Sequence, residues 1–261
     1  MILINIFQSL PLLVNFLITF ILIIVFYLFG NEIRVRSIRK NPDFINKELG
    51  PINGTLLGLL GLMLAFTFSM ASSRYDTRRQ VIVEEANDIG TAILRTDIYP
   101  DSVRQIFRNH FKEYVDYRIA FYESGTDDKK SSEYYAKADS VGKIIWSIAA
   151  GYAKVDNITT RTSELIPALN DMIDITTTRK AASQARIPTS IVYFLVSLCC
   201  CSAFLLGYDH KGRIDWIMVI GLATMLSFIF LIISDLDRPR SGLINLDTAN
   251  EKIIELRQLF K

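Results

Sequence analysis

Apolar residues along this chain gather into four long runs, split into two pairs by a polar stretch of about 115 residues. Leu10 to Phe29 is the first run and has the length of about 20 residues that a bilayer demands. A cleaved signal peptide fits it poorly: no positive charge precedes it, and Arg34, Arg36, Arg39 and Lys40 follow it in place of a small-residue cleavage site. The second run begins after Pro51 and extends to Ser72. Pro188 stands where a first-turn proline belongs, so Thr189 to Tyr208 reads as a third span. After the polar turn Asp209 to Asp215, Trp216 sits at an interface and Trp216 to Ser234 forms a fourth. The expected division is therefore a first transmembrane helix within 1–30, a connecting loop 31–53, a second transmembrane helix 54–72, a soluble domain 73–187, a third helix 188–208, a turn 209–215, a fourth helix 216–234 and a tail 235–261.

The polar stretch has helical period. Ile82, Ala86, Ile89 and Ile93 recur at three- and four-residue steps, and no Pro or Gly interrupts the chain from Arg74 until Gly90. One helix is thus expected to leave the bilayer and run on unbroken. Tyr99-Pro100 ends it, and a second helix, capped by Asp101 or Ser102, carries Val103, Phe107, Phe111, Tyr114, Val115 and Arg118. Ser124 to Ser132 reads as a solvated loop tip. Further helices are expected over about Glu133 to Val155 and Thr160 to Arg186, the latter kinked or started late by Pro167. A last amphipathic helix covers about Leu246 to Phe260. No segment alternates with period two, so the fold class is an all-α integral membrane protein with four transmembrane helices and a helical bundle inserted between the second and third.

The second span carries the candidate site. Gly54 with Gly58, and Gly61 with Ala65, make small-xxx-small pairs that let helix backbones approach closely. Two readings follow: packing within one protomer, or packing around an axis shared by several subunits. In the second, Gly58, Leu62, Phe66, Ser69 and Ser73 form a stripe facing that axis. Leu62 and Phe66 would gate by dewetting, and Arg74 and Arg78 at the mouth would attract anions. Glu84 and Glu85 in a vestibule or interface would oppose that preference.

Composition narrows the chemistry. Half of the 261 residues are hydrophobic and the mean hydropathy is +0.27, too apolar for an ordinary soluble domain. A formal charge of +2, with no Lys/Arg run beyond two residues, excludes nucleic acid as a partner. Cys199, Cys200 and Cys201 are consecutive in an apolar run, where they point in different directions and read as small apolar residues. His110 and His210 share no site, and no P-loop, nucleophile elbow or metal-spaced histidine pair occurs, so neither catalysis, nor a metal, nor a cofactor is expected. Glu84, Glu85, Asn87 and Asp88 read as balancing Arg78, Arg79 and Arg95 along their own helix, or as a cation site at a subunit interface. Asn53-Gly54-Thr55 and Asn157-Ile158-Thr159 match the glycosylation triplet, which matters only in a secreted eukaryotic context.

Three separated blocks carry a family resemblance: LLGLMLAFTFSMASSRYDTRRQVIVEEANDIGTAILR, then LNDMIDITTTRKAASQARIP, then SDLDRPRSGLINLD. Together, from about Gly50 to Phe260, they resemble the bacterial bestrophin-like family of unknown function. More distantly the chain is similar to the bestrophin chloride channels. That resemblance implies four spans, a cytosolic helical domain between the second and third, and a second span lining a pore on a fivefold axis. Leu62 and Phe66 match the type and spacing of those channels' apolar constriction, and Gly58, one turn earlier, departs from it. Asp235, Asp237 and Asp247 are spread around Pro239 and Gly242 and do not resemble an acidic calcium clasp, so calcium gating is not carried over.

The function expected is a homo-oligomeric ion channel, a pentamer by resemblance, passing small inorganic ions with an anion preference. The rival is a non-conducting scaffold or sensor whose helical domain docks a partner. No charge interrupts the four spans, as it would in a coupled transporter. The location expected is the bacterial inner membrane, as a multi-pass protein in the lipid bilayer. Arg34, Arg36, Arg39, Lys40 and Lys47 put the first loop in the cytoplasm by the positive-inside rule, and the eight Lys/Arg flanking the domain-side face pull the other way. The channel resemblance places the 73–187 domain in the cytoplasm.

Overall fold

In a computed structural model of the chain, which describes residues 11–40, 50–155, 158–210, 212–238 and 242–260, nearly all of these residues are helical and no strand occurs among them. Lys47, Asn157, Lys211, Pro239 and Arg240 lie outside the described residues. The helices are α1 (Leu12–Lys40), α2 (Gly50–Arg95), α3 (Asp101–Glu123), α4 (Asp128–Val155), α5 (Thr159–Gln184), α6 (Thr189–Asp209), α7 (Trp216–Leu236) and α8 (Asp247–Glu255), with 3₁₀ turns at Thr96–Ile98 and Leu256–Phe260. Four stretches, in α1, α2, the run from α5 into α6, and α7, are long and apolar enough to cross a membrane.

The chain divides into two compact units. One comprises Met1–Ser73 with Arg186–Arg238, and the other Arg74–Ala185 with Pro239–Lys261. The C-terminal segment, expected as a separate tail, thus belongs with the bundle.

In the first unit α1 packs against α6 and α7. Its inward face is Asn15, Thr19, Ile23, Tyr27, Gly30 and Arg34, at steps of three or four residues. Two glycines set the α1–α6 crossing. A Cβ at Gly30 would collide with the Phe204 carbonyl, and one at Gly207 with the Tyr27 carbonyl, so the backbones meet at a distance only glycine permits. Helix α1 runs on to Lys40, so residues 31–40, expected in a loop, are helical. Arg34 explains the extension: it is buried, and its guanidinium lies 5.7 Å from the Tyr208 ring centre. Helix α2 starts at Gly50, ahead of the expected residue 54, and Asn53 near its start is held by donating to Asp209 across 3.0 Å. Asp215 caps α7 by accepting from the Ile217 and Met218 amides. Buried Asp237, at the other end of α7, accepts from the Ile187 amide just before α6.

The second unit is a helical bundle around Ile89, Ile93, Phe107, Phe111, Ile145 and Leu169, all fully enclosed. The tail contributes Ala249, Ile253 and Leu256 to the same core. Pro100, rather than Asp101 or Ser102, precedes the first turn of α3, and its carbonyl accepts from the Val103 and Arg104 amides. Helix α4 begins at Asp128, five residues before expected, because Asp127 accepts the Lys130 amide and caps it. Pro167 sits inside α5, which starts at Thr159 all the same.

Candidate functional site

Helix α2 shows two faces between Pro51 and Ser73. Leu60, Leu64, Thr67 and Ala71 are buried at steps of three and four residues. On the opposite side Gly58, Leu62, Phe66, Ser69 and Ser73 are all exposed, Leu62 at 50% and Phe66 at 59%. The five expected stripe residues therefore share one uncovered face. The glycines separate the two packing readings: a Cβ at Gly54, Gly58 or Gly61 would meet nothing within 4 Å, so none of them is used for close packing inside the protomer.

Further along the unbroken helix, the stripe's steps reach Asp76, Gln80, Glu84 and Asn87, each of them exposed. The expected cationic mouth falls elsewhere. Arg74 is partly exposed, but four residues later Arg78 is 3% exposed, in register with Leu60, Leu64, Thr67 and Ala71. It donates from Nε to the Ala182 carbonyl at 3.2 Å and from Nη2 to the Ala185 carbonyl at 2.7 Å. A guanidinium there satisfies carbonyls that the end of α5 leaves without helical partners. Arg78 is a helix-end clamp and does not line a mouth.

Glu85 also departs from expectation. It is 0% exposed within one chain, so it faces neither a vestibule nor a subunit surface. Its partners come from other helices and not from Arg78, Arg79 or Arg95. Arg118 of α3 donates from Nε to Oε1 at 2.5 Å, and Arg179 of α5 donates from Nη1 to Oε2. Arg179 also reaches Asn250 Oδ1 at 2.8 Å, and Asn250 donates to the Leu246 carbonyl, which draws the C-terminal segment into the network. Burial alone would push the Glu85 carboxyl up; the two guanidiniums outweigh it and hold the group below its ordinary value. Removing Glu85 leaves two buried guanidiniums without their carboxylate and costs about 3–5 kcal/mol.

Glu84 stays exposed and shares its side of the bundle with Asp88 and Asp171. Burial, then repulsion from Asp171, Glu84 and Glu85, pushes the Asp88 carboxyl up to about 6. Among the described residues no group of three or more His, Cys, Asp or Glu side chains is placed to hold a metal ion. Cys199 and Cys200 are buried and Cys201 is exposed, and none is in a disulfide.

Sequence reasoning missed Arg118 and Arg179 as partners of Glu85. The signal was present: Arg118 falls in the register of Phe107, Phe111, Tyr114 and Val115, and Arg179 in that of Leu165, Leu169, Met172 and Ile175. Charges on core stripes of different helices must find one another or be neutralised.

A family model described as a Bestrophin-like domain matches residues 16–250. No curated protein matches the chain. Among solved structures, a bacterial Bestrophin homolog from Klebsiella pneumoniae is similar at a TM-score of 0.63 and 13% identity, covering 95% of this chain and 99% of that one. Two forms of that homolog with one substitution each are similar at TM-scores of 0.67 and 0.66, with 12% and 13% identity, each covering 96% of this chain and 99% of the other. At these identities the likeness is one of fold.

Proposed function

The chain belongs to the bestrophin-like family of membrane proteins, and from that premise we propose that it is a homo-oligomeric ion channel whose pore is lined by Gly58, Leu62, Phe66, Ser69 and Ser73. The observation that carries this reading is the uncovered stripe on α2. A face meant for lipid has no use for two serines and a run of open glycines, whereas small residues suit contact between copies of a helix. Leu62 and Phe66, one turn apart, form the hydrophobic constriction, which conducts only when wetted. A fivefold ring, and a cytoplasmic position for the 73–187 domain at the inner membrane, are supported by the resemblance to the bestrophin chloride channels.

Charge on the stripe favours small cations over the expected anions. Arg78 is committed to the end of α5. The exposed acidic residues that continue the stripe's steps are Asp76 and Glu84, which repeated around a ring attract cations.

The test is ion flux into liposomes containing the purified protein, comparing potassium with chloride, for wild type and for Leu62→Ala with Phe66→Ala. Faster flux in the double variant, with potassium preferred and the preference reduced by Asp76→Asn with Glu84→Gln, is the expected result. A folded, inserted protein that is monomeric or dimeric and passes neither ion would overturn the channel reading in favour of a membrane scaffold or sensor.

A further inference from the structure

We propose that the helical bundle holds a small monovalent inorganic anion in a cavity beside Arg118, inside each protomer and apart from the α2 stripe. The cavity lies between α3, α4 and α5, is partly open, and has a volume of about 60 Å³. Tyr114, Arg118, Tyr135, Gly142, Lys143 and Thr176 are among its lining residues.

Charge balance is the first argument. The buried network holds one carboxylate, Glu85, against two guanidiniums, Arg118 and Arg179, and all three are at least nine-tenths enclosed. Its excess is one positive charge. An uncompensated charge in a protein interior is costly, and a bound counter-ion removes that cost. The remaining charges at the cavity do not: Lys143 and Asp139 both line it and pair with each other at 2.7 Å. Lys180, which lies 5.1 Å from the Tyr135 ring centre, adds further positive charge nearby.

The second argument is the donors. Arg118 gives only Nε–H to Glu85, and no other acceptor among the described residues takes its remaining protons. Tyr114 is 2% exposed and lines the cavity, and its hydroxyl has no hydrogen-bond partner among the described residues. A buried tyrosine normally finds a partner for its O–H. Two donor-bearing side chains lining one space next to an excess positive charge describe an anion site. Water would satisfy the donors and leave the charge.

Size bears on the ligand. A single water needs about 10–15 Å³ on this measure, so the cavity has room for a halide or an ion of nitrate size. Gly142 keeps it open. A Cβ there would stand 3.5 Å from Tyr114 Cε2, an ordinary contact, so alanine fits without strain while filling part of the space.

The test uses the full-length protein in detergent at constant ionic strength, with bromide replacing gluconate. Expected are an anomalous bromide peak in the cavity of crystals and thermal stabilisation that saturates with bromide. Tyr114→Phe, which removes one hydrogen bond to a charged group, raises the half-saturating concentration about tenfold or more, and Gly142→Ala weakens binding while keeping the fold. The Leu62→Ala, Phe66→Ala variant leaves the bromide effect unchanged, which separates this site from any ion in a pore. Absence of a bromide peak from the cavity, or equal stabilisation of the wild type, Tyr114→Phe and Gly142→Ala proteins, overturns the proposal. The site stands or falls independently of whether the ring conducts.

Discussion

The two units of this chain sort their side chains in opposite senses. In the unit of α1, α6 and α7, large apolar groups such as Ile21, Phe29, Ile217 and Phe228 are exposed, and the interior takes Asn15, Thr19, Ser202 and Ser227. In the bundle Phe107, Phe111, Ile145 and Leu169 are enclosed, and the outside of α4 is laced with i,i+4 pairs such as Lys137 with Glu133 and Lys143 with Asp139. One rule produces both. Each unit turns outward what its surroundings solvate, and lipid and water solvate opposite groups. The means of cohesion differ accordingly: the first unit uses glycine-mediated backbone contact, and the second uses an apolar core with one ion network at its centre.

The sharpest break of that comparison is Glu85→Ala. It leaves two buried guanidiniums without their carboxylate and should cost about 3–5 kcal/mol. The expected outcome is an apparent Tm lower by roughly 10 °C, read by intrinsic fluorescence of the detergent-solubilised protein. An unchanged Tm would show that the network is not central to the bundle. Next is Gly207→Ala. Its Cβ meets backbone of α1, which cannot swing aside as a side chain can. A cost of about 1–3 kcal/mol is expected for such overpacking, with poorer recovery of monodisperse protein on size exclusion. Recovery and Tm equal to wild type would contradict the close crossing.

A smaller effect, opposite in sign, comes from Asp88. Its folded carboxyl stands at about 6 against an ordinary 3.8, so the native state takes up the proton more readily than the unfolded chain. Below about pH 3 the group is protonated in both states and costs nothing. As pH rises through 6 the native state must carry a charge beside Asp171 and Glu84, and stability falls. Asp88→Asn should therefore stabilise the protein at pH 7.5, by about 1 kcal/mol once solvent screening is allowed for, and leave it unchanged at pH 3. Thermal melts at the two pH values give the check. Smallest in stability, and largest in flux, is the Leu62→Ala, Phe66→Ala pair. Both side chains are uncovered in the protomer, so stability should change by no more than a protomer surface substitution does, about 0.5 kcal/mol.

Helical period carried most of the architecture. The apolar runs, the Ile82–Ile93 stripe and the break at Pro100 are local signals, and each helix formed where its stripe lay. Element ends were less legible, since Asp127 could be recognised as a cap only once the backbone around Lys130 was helical. The α2 stripe was legible because one helix carries it all. Arg78 was misplaced because nearness to the span's end outweighed phase: counted from Leu60 in steps of three and four, Arg78 belongs to the buried face. Glu85 could not be paired from its own helix, because its partners lie 33 and 94 residues away and only tertiary packing brings them together.

The close crossing of α1 and α6 bears on how the molecule is made. Gly30 meets Phe204, and Tyr27 meets Gly207, across about 175 residues of intervening chain. At a synthesis rate of about 5–20 residues per second, α1 emerges roughly 10–35 seconds before the helix it is shaped to hold. Throughout that interval Asn15 and Thr19 have no α6 or α7 to cover them. Helix α1 therefore reaches its final packing only after α6 has been made, late in the synthesis of the chain.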